Sequence, residues 1–347
     1  MPDKPIIKSV VLNSVNITNA IVPDILSLTY TDLLEAGAST FDLEIRNKGR
    51  SLATPPTMGD YLEIKFGYQG SVSEVNTGTC RVDDVIREYG HDTLRIGARA
   101  YDYGIGLKSN VGSSGKIIFQ NSTLRSIVQT IASQFSLTLV GTSSISTEVV
   151  GTTATLGSSN IVTESGDTWL DLAQKLAVKY GYAFNLKLGQ MLFRSYDSLN
   201  AQGYSVLLTS TDLVPRPRFR ENIVGNYQKA TVASKTGTTV TLTDNTIPGV
   251  RDTVDLTSEG YYNSINNAVL RATGAIIESN KDRHIGQVKI PGNPNAIAGN
   301  NAYITTLDDR DEGMYGIDRA VHTLSASEGW TVQLDLRKIF AQNITTV

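Results

Sequence analysis

The 347-residue chain contains little of what several common protein functions require. It has one cysteine, Cys80, so an internal disulfide bond is excluded and a small buried side chain on a strand is the expected role. The three histidines lie in separate segments without the spacing of metal ligands, which argues against a zinc site. The net charge of −3 creates no field that would attract a polyanion. Nucleic-acid binding is therefore disfavoured as the main task.

The sequence also lacks the motifs of frequent enzyme classes and of membrane proteins. It contains neither a Gly-x-Ser-x-Gly turn nor a phosphate-binding glycine loop. The densest carboxylate cluster, Asp308–Glu312, includes Arg310 and lacks EF-hand spacing, so a solvated hairpin tip is favoured over a calcium site. No apolar run is long enough to span a membrane, and the N-terminus lacks the apolar core of a signal peptide. We expect a non-enzymatic protein, made in the cytoplasm, without cofactor, metal or membrane insertion.

Alternating apolar and polar residues dominate instead, and one pattern of them occurs in both the N-terminal and the C-terminal part of the chain. The segments Gly59–Ala98 and Gly299–Leu336 each contain a turn, a strand, a glycine-led strand, a hairpin and a closing strand in this order. We interpret them as two copies of one small β-barrel, each in its own sheet. Two unrelated meanders that share glycines and alternation are the alternative. The predicted equivalent positions are Val82 with Ile317, Asp83 with Asp318, and Ile96 with Leu334 or a neighbour two residues away.

Between the two copies the periodicity changes from that of strands to that of helices. One predicted helix follows Thr123, and a second, Trp169–Tyr180, ends at Gly181 and precedes a hairpin. The fold class that follows is mainly β, with two small β-barrels and an inserted α+β domain. The predicted domains are residues 1–111 as the first β-barrel, 112–205 as the α+β insert, and 206–347 as the second β-barrel with one helix.

The single helix of the second barrel is predicted over Ser264–Asp282. Apolar residues recur on one face of this segment at helical spacing, so we expect this face to point inward. The residues of that face are Ile265, Val269, Ala272, Ile276 and Ile277.

Polar residues suited to contact with a partner protein occur in several places. The basic segment Pro215–Arg220 is either a binding strip for an acidic partner or, as the favoured interpretation, a stiff solvated linker. Asp83 and Asp318 are expected to have a recurrent structural role, because they are equivalent in the two copies. The candidate partner-contact residues are Glu35, Arg216, Arg218, Arg220, Asp308 and Asp309.

The order of several motifs carries a resemblance to a known family. The segments Thr40–Asn47, Met58–Ile64, Gly78–Val85 and Leu94–Asp102 together resemble the late control protein D family of contractile-tail phages. These are baseplate hub proteins, related to the hub portions of type VI secretion spike proteins. The similarity covers nearly the whole chain. It continues through Ser122–Val140, Trp169–Phe193, Pro291–Pro294, Ala298–Gly299 and Gly313–Leu336.

The resemblance implies a structural part of a phage tail or of a related injection machine. The resemblance implies a homotrimer in which two tube-protein-like β-barrels per chain make a ring of six, which joins a sixfold tail tube to a threefold spike. The implied partners are further copies of the chain, the tail tube protein and a separate spike protein, with tape measure and baseplate wedge proteins as additional candidates. DNA is expected to pass through the ring without specific binding. The implied location is the tail baseplate of the virion, assembled in the host bacterial cytoplasm.

The sequence leaves two other functions open. The insert, with Trp169 and Tyr180, could be a cell-wall carbohydrate-binding module of the LysM type, which requires exposed aromatic side chains. A glycan-hydrolysing tail component would need two carboxylates that converge in a cleft. Asp83 or the Asp308–Glu312 cluster would have to supply them.

Overall fold

The computed structural model describes most of the chain. The described residues are 4–35, 37–47, 55–90, 92–100, 118–153, 160–162, 167–213, 217–222, 224–234, 238–247, 252–340 and 344–346. Among the helices in these ranges, none is both long enough and apolar enough to cross a membrane.

Strands outnumber helices in the described ranges. The strands of the first 120 residues are β1 (Pro5–Leu12), β2 (Val15–Asn16), β3 (Ile25–Leu33), β4 (Thr40–Arg46), β5 (Tyr61–Tyr68), β6 (Glu74–Asn76), β7 (Cys80–Glu88), β8 (Thr93–Ala100) and β9 (Ile118–Gln120). Those of the middle are β10 (Thr138–Val140), β11 (Thr152–Thr153), β12 (Asn160–Val162), β13 (Tyr182–Lys187), β14 (Gln190–Ser195), β15 (Tyr204–Leu208) and β16 (Arg218–Glu221). The last are β17 (Lys229–Ala233), β18 (Thr239–Asp244), β19 (Thr253–Asp255), β20 (Tyr261–Tyr262), β21 (His284–Pro291), β22 (Asn301–Ile304), β23 (Gly313–Ser325), β24 (Gly329–Lys338) and β25 (Ile344–Thr346). The helices are α1 (Thr18–Ile21), α2 (Leu124–Gln134), α3 (Trp169–Tyr180), α4 (Tyr196–Asn200) and α5 (Ile265–Asn280).

Two sets of six strands have the same order. In the first unit the hydrogen-bonded order is β3-β4-β8-β7-β5-β1, and in the second it is β16-β21-β24-β23-β22-β15. When the six strands of each unit are counted along the chain, both orders read 2-3-6-5-4-1. One pairing differs, because β15 runs parallel to β22 whereas β1 runs antiparallel to β5. The predicted duplication and the mainly β fold class are confirmed.

The register of the two units repeats in detail. β7 and β23 each carry one extra residue relative to the neighbouring closing strand, Asp83 and Asp318 respectively, which makes a β-bulge at the same place. Gly59 and Gly299 precede β5 and β22 with φ of +90° and +96°, a left-handed conformation that favours glycine. Both glycine N–H groups donate, at 2.9 Å, to the strand residue just before the bulge. The resulting equivalences are Val82 with Ile317, Asp83 with Asp318 and Ile96 with Leu334, as predicted.

The expectation that the two copies lie in separate sheets is wrong. β3 pairs antiparallel with β23, so the two units belong to one sheet of fourteen strands. Their apolar faces also merge into one core, in which Phe66 of β5 packs against Trp330 of β24 with ring centroids 5.6 Å apart. The physical reason is that separate units would leave β3 and part of β23 with unpaired backbone groups, which the ladder between them satisfies.

Each unit nevertheless curls around its own side of the core. Tyr30 of β3 and Phe66 of β5 are separated by three strands in the sheet, yet their ring centroids lie 6.3 Å apart. In the second unit, Phe219 of β16 and Tyr315 of β23 are separated by two strands and lie 5.9 Å apart. Side chains of such distant strands meet only if the sheet curls, so both units have the shape of a barrel.

The helices of the insert begin and end at the capping residues that the sequence indicates. The Thr123 side chain accepts a hydrogen bond from the Ser126 N–H at the start of α2. Thr168 and Asp171 form a capping box at the start of α3, and Gly181 ends this helix with φ of +72°. Apolar stripes of α2 and α3 share a buried cluster with side chains of the β10-β14-β13 sheet. The predicted helices and hairpin of this region are confirmed.

Helix α5 lies between the insert and a second small sheet. It packs on β17 and β18 of the sheet β19-β17-β18-β25 and also contacts α3. The close approach to α3 depends on Gly274, because a β-carbon there would lie 2.5 Å from a backbone oxygen of α3. Of the residues predicted to face inward, Ala272, Ile276 and Ile277 are buried. The expectation for Ile265 is wrong, since its position in the first turn leaves it 51% exposed.

Candidate assembly interface

The junction between β3 and β23 has an apolar side and a polar side. On the apolar side, Tyr30 stacks on His322 with ring centroids 6.2 Å apart and an angle of 28° between the planes. The indole N–H of Trp330 donates to Nδ1 of His322 at 3.3 Å, so the ring proton of the neutral imidazole is on Nε2. On the polar side, Thr29 lies opposite Thr323. This ladder is the contact through which one unit of the chain joins the other.

Burial lowers the pKa of His322 to about 4. The imidazole is therefore neutral in the folded protein at neutral pH, whereas in the unfolded chain it takes up a proton near its ordinary pKa of about 6.5. Below that value the unfolded state binds more protons than the folded state. The free energy of unfolding is therefore unaffected by His322 above about pH 6.5. It falls as the pH decreases from about 6.5 toward 4, by roughly 3 kcal/mol in total.

We expect His322→Asn to remove this loss, because asparagine keeps an acceptor for Trp330 and does not titrate. The measurement is the free energy of unfolding in denaturant at pH 7 and at pH 4.5. The wild-type chain should lose roughly 2–3 kcal/mol more than the variant over this interval. Equal losses in the two proteins would contradict the account of His322.

Among the described residues, two strand edges that correspond to the two sides of this junction have no such partner. The second half of β7, Asp84–Glu88, pairs with β8 on one side only, although the equivalent half of β23 is paired on both sides. β16 pairs with β21 on one side only, although the equivalent strand β3 is paired on both sides. Both edges are open within the described ranges. Their unpaired N–H and C=O groups are a template on which a strand from another chain can add.

On the polar side of the sheet the two open edges carry opposite charges. The β7 edge presents Asp84 and Glu88 on either side of Ile86, whose side chain is 46% exposed. The β16 edge presents Arg218 and Arg220, both exposed. A β7 edge and a β16 edge are therefore complementary, whereas two edges of the same kind would bring like charges together.

Three of the residues predicted to contact a partner belong to one segment. Arg218 and Arg220 lie on β16, so the favoured interpretation of Pro215–Arg220 as a solvated linker is wrong for residues 218–220. This stretch forms a strand because β21 offers it a free edge and Phe219 packs against the core. Arg216 lies outside the described residues.

Glu35 lies away from the open edges, in an ionic cluster between the second unit, α4 and α5. Its carboxylate is 3.1 Å from the Lys281 ammonium. In the same cluster Asp318 and Arg337 pair at 3.4 Å, and the guanidinium lies 4.5 Å from the ring centre of Tyr196. Burial raises the pKa of Asp318 to about 6, against the opposing effect of Arg337. These contacts hold Glu35 against other parts of its own chain.

The Asp318–Arg337 pair has an equivalent in the first unit. Asp83 forms an ion pair with Arg99, and Arg99 occupies the position in β8 that Arg337 occupies in β24. Each pair joins the extra residue of a bulge to the adjacent strand. The predicted structural role of the two aspartates is confirmed.

Asp308 and Asp309 are exposed at the tip of the turn that precedes β23. The Asp308 carboxylate accepts a bond of 3.0 Å from the Arg310 N–H, and its carbonyl accepts from the Asp311 and Glu312 N–H groups at 2.8 and 3.0 Å. The cluster is thus a turn closed by its own hydrogen bonds. In the described part of the chain, no group of three or more His, Cys, Asp and Glu side chains is placed to hold a metal ion.

The sequence patterns did not single out the β7 edge. Nothing local distinguishes Asp84–Glu88 from a strand that is paired on both sides. The distinguishing signal is the repeat, since the equivalent residues of β23 lie between two strands.

The face of the sheet opposite the core is polar and forms a groove at β3, β4, β7 and β8. Side chains that line this groove include Ser27, Thr29, Asp42, Glu44, Asp84 and Arg95.

The two aromatic residues on which the carbohydrate-binding interpretation depends are buried. Trp169 is 7% exposed and Tyr180 is 1% exposed. The Tyr180 hydroxyl accepts a hydrogen bond from the Gly151 N–H at 3.2 Å. The carbohydrate-binding interpretation required exposed rings at these two positions, so it is wrong for them.

Comparisons with known proteins give a fold and no close relative. No protein-family model matches the chain, and no curated protein sequence matches it. Among solved structures, the 43 kDa tail protein of prophage MuSo2 from Shewanella oneidensis is 16% identical, with a TM-score of 0.65 over 97% of this chain and 98% of that chain. The tail protein from Neisseria meningitidis MC58 is 12% identical, with a TM-score of 0.69 over 96% of each chain.

A third similar structure belongs to a secretion system. The E. coli c3393 protein is described as a component of the type VI secretion system with structural similarity to the T4 bacteriophage tail proteins gp27 and gp5. It is 12% identical to this chain, with a TM-score of 0.55 over 91% of this chain and 74% of that one. The chain therefore has the fold of phage tail proteins and of a component of the type VI secretion system.

Proposed function

We propose that the chain is the baseplate hub of a contractile phage tail or of a related injection machine. Three chains form a ring of six barrels, which presents six similar surfaces to the tail tube and true threefold symmetry to the spike. The observation that carries the proposal is the repeat of strand order, bulge and turn, with the two copies joined edge to edge. A ring of six needs such an edge contact between every pair of neighbours, and the β3–β23 ladder supplies the contact within each chain.

On the sequence interpretation a ring of six distinct barrels requires separate sheets for the two units, and this requirement is not met. A shared sheet is compatible with a ring because each unit still curls around its own side of the core. Separate sheets would leave the relative placement of the two units to a loop. A continuous ladder fixes the angle between neighbouring units, and a ring closes only if that angle is fixed. The open edges of β16 and of the second half of β7 then lie at the two ends of the run β16-β21-β24-β23-β3-β4-β8-β7, where the neighbouring chains follow.

The partners follow from the two symmetries of the ring. The tail tube protein binds the sixfold face and a separate spike protein binds the threefold face, with tape measure and baseplate wedge proteins nearby. The polar groove side of the sheet lines the channel, through which DNA passes without base-specific contacts. The protein is assembled in the host cytoplasm and resides in the tail baseplate of the virion. Its role is structural and needs no catalytic residue.

The mass of the purified chain in solution tests the proposal. Light scattering at high protein concentration should give about 112 kDa, three times the 37.5 kDa of one chain. Addition of the tail tube protein and the spike protein from the same gene cluster should give complexes that contain three hub chains. A stable monomer, a dimer or a hexamer would contradict the proposed adapter.

A further inference from the structure

We infer that the ring closes through a β-ladder between the second half of β7 in one copy of the chain and β16 in the next copy. The inference rests on the proposed trimer and specifies its contact surface and register. It starts from the β3–β23 ladder, because β23 is equivalent to β7 and β3 is equivalent to β16. If the same contact repeats around the ring, the two open edges must pair with each other across every boundary between chains.

The register follows from two sets of pairings within the chain. Glu88 takes the place of Thr323, because each lies five residues beyond the bulge residue of its strand, Asp83 in β7 or Asp318 in β23. Arg218 takes the place of Thr29, because both lie opposite equivalent residues of β4 and β21. Since Thr29 lies opposite Thr323 within the chain, Arg218 of one copy lies opposite Glu88 of the next. The further pairs are Arg87 with Phe219, Ile86 with Arg220, Val85 with Glu221, and Asp84 with Asn222.

This register places compatible side chains opposite one another on the polar side. Glu88 and Arg218 form a directly opposed ion pair. Arg220 lies opposite the apolar Ile86 and diagonally between the two carboxylates of Asp84 and Glu88, within reach of a long side chain. Within the described residues, Arg218, Arg220 and Asp84 make no ion pair in the isolated chain, so these charges are free for the contact.

The register also gives a compatible pair on the apolar side. Tyr30 and His322 stack at the junction within the chain. Their equivalents are Phe219 and Arg87, and Arg87 is exposed in the isolated chain. A guanidinium over a phenyl ring is a favourable cation–π contact, so the stacking arrangement is kept with different chemistry.

The charges also exclude the wrong assemblies. Two β16 edges brought together would place arginines opposite arginines, and two β7 edges would place carboxylates opposite carboxylates. Only a β7 edge with a β16 edge is favourable, and each chain carries one of each. The contact is therefore heterologous, with two different surfaces meeting, and such contacts form closed rings when the rotation fits.

Paired cysteines test the contact and its register. In the full-length chain, Glu88→Cys with Arg218→Cys should form disulfides between chains under mild oxidation and give a covalent trimer on a non-reducing gel. The matched positive control is Thr29→Cys with Thr323→Cys, which occupies the same ladder position within one chain and should close without linking chains. Ile86→Cys with Arg218→Cys, two residues out of register, should link chains at least about tenfold more slowly, because the diagonal separation exceeds disulfide reach. The native Cys80 is buried and does not compete.

Charge reversal gives a second readout that does not depend on disulfide geometry. Glu88→Arg should weaken trimer association by about tenfold at each junction, since it replaces an attraction by a repulsion. Addition of Arg218→Glu in the same chain should restore assembly.

The outcomes separate the inference from the proposed function. A trimer without the Glu88–Arg218 disulfide, while the Thr29–Thr323 control closes, overturns the inferred ladder and leaves the hub proposal standing. A chain that is not trimeric by light scattering overturns the hub proposal itself.

Discussion

Replacement of Asp32 by alanine is expected to lower the free energy of unfolding by about 3–5 kcal/mol. Asp32, at the end of β3, is 3% exposed and joins three parts of the molecule. One carboxylate oxygen accepts from the Ala298 N–H of the second unit at 2.9 Å. The other accepts from Ser39 at 3.1 Å and lies 2.8 Å from the ammonium of Lys187 in the insert hairpin. Alanine would leave the buried Ala298 N–H without its acceptor and the largely buried Lys187 ammonium with only the Ala298 carbonyl as a partner.

Denaturant unfolding followed by circular dichroism measures this effect. Asp32→Asn retains an acceptor for the Ala298 N–H but not the charge. Its free energy of unfolding should therefore lie between those of the wild type and Asp32→Ala. The exposed Asp309→Ala is the matched control, with an expected change within about 0.5 kcal/mol. If Asp32→Ala unfolds at the same denaturant concentration as Asp309→Ala, the carboxylate does not hold the three parts together.

Leu172→Asp is expected to cost several kcal/mol and to unfold the insert while the large sheet stays folded. Leu172 lies on α3, is 3% exposed and belongs to the core of α2, α3 and the β13–β14 hairpin. That core is separate from the one that fills the two barrel units. A carboxylate placed there has no partner, so either it stays charged at high cost or its pKa rises until it is neutral.

The two tryptophans allow the two regions to be followed separately. Trp169 lies in the core of the insert and Trp330 in the core of the barrel units. In a Trp169→Phe background, Leu172→Asp should leave the fluorescence transition of Trp330 near its original midpoint. Val178→Asp is the matched control, because it places the same charge on the same helix at a side chain that is 49% exposed. Equal loss of hydrogen-exchange protection in β4, β8, β21 and β24 would contradict the proposed division at residues 112–205.

Local chemistry made part of the fold predictable. The caps of α3 and the left-handed Gly181 follow from short-range rules, and the helix bounds agree with them. The equivalence of Asp83 with Asp318 was predictable because a glycine turn, a glycine-led strand and a closing strand recur together. Alternation fixed the faces, since a register error of one residue would have put every apolar side chain on the wrong side.

Long-range pairing was not predictable from these patterns. β16 is only four residues long and lies beside prolines, so its composition resembles that of a linker until β21 is seen to pair with it. The ladder between β3 and β23 joins segments almost three hundred residues apart, and no local signal records that one edge meets the other. Ile265 shows the same limit on a smaller scale. Its spacing fits the buried stripe, but it is the first residue of the helix and its side chain lies outside the core.

The candidate interface was only partly visible in the sequence. Arg218 and Arg220 stand out as a basic cluster, but their complement on β7 does not, because Asp84 and Glu88 alternate like any polar face. Only the comparison of one unit with the other reveals which edges are filled and which are open. The duplication, recognised in the sequence, therefore predicts that the two units share a fold. Once the strand pairing is known, the comparison of the two units also predicts the contact between chains.

Electron microscopy of the purified chain viewed along the ring axis tests the central claim most directly. The account predicts closed threefold rings with six barrels around a channel, in which the β3–β23 contact within a chain alternates with the β7–β16 contact between chains. Particles with twofold symmetry, or rings in which neighbouring chains meet through the inserts instead of these edges, would contradict it.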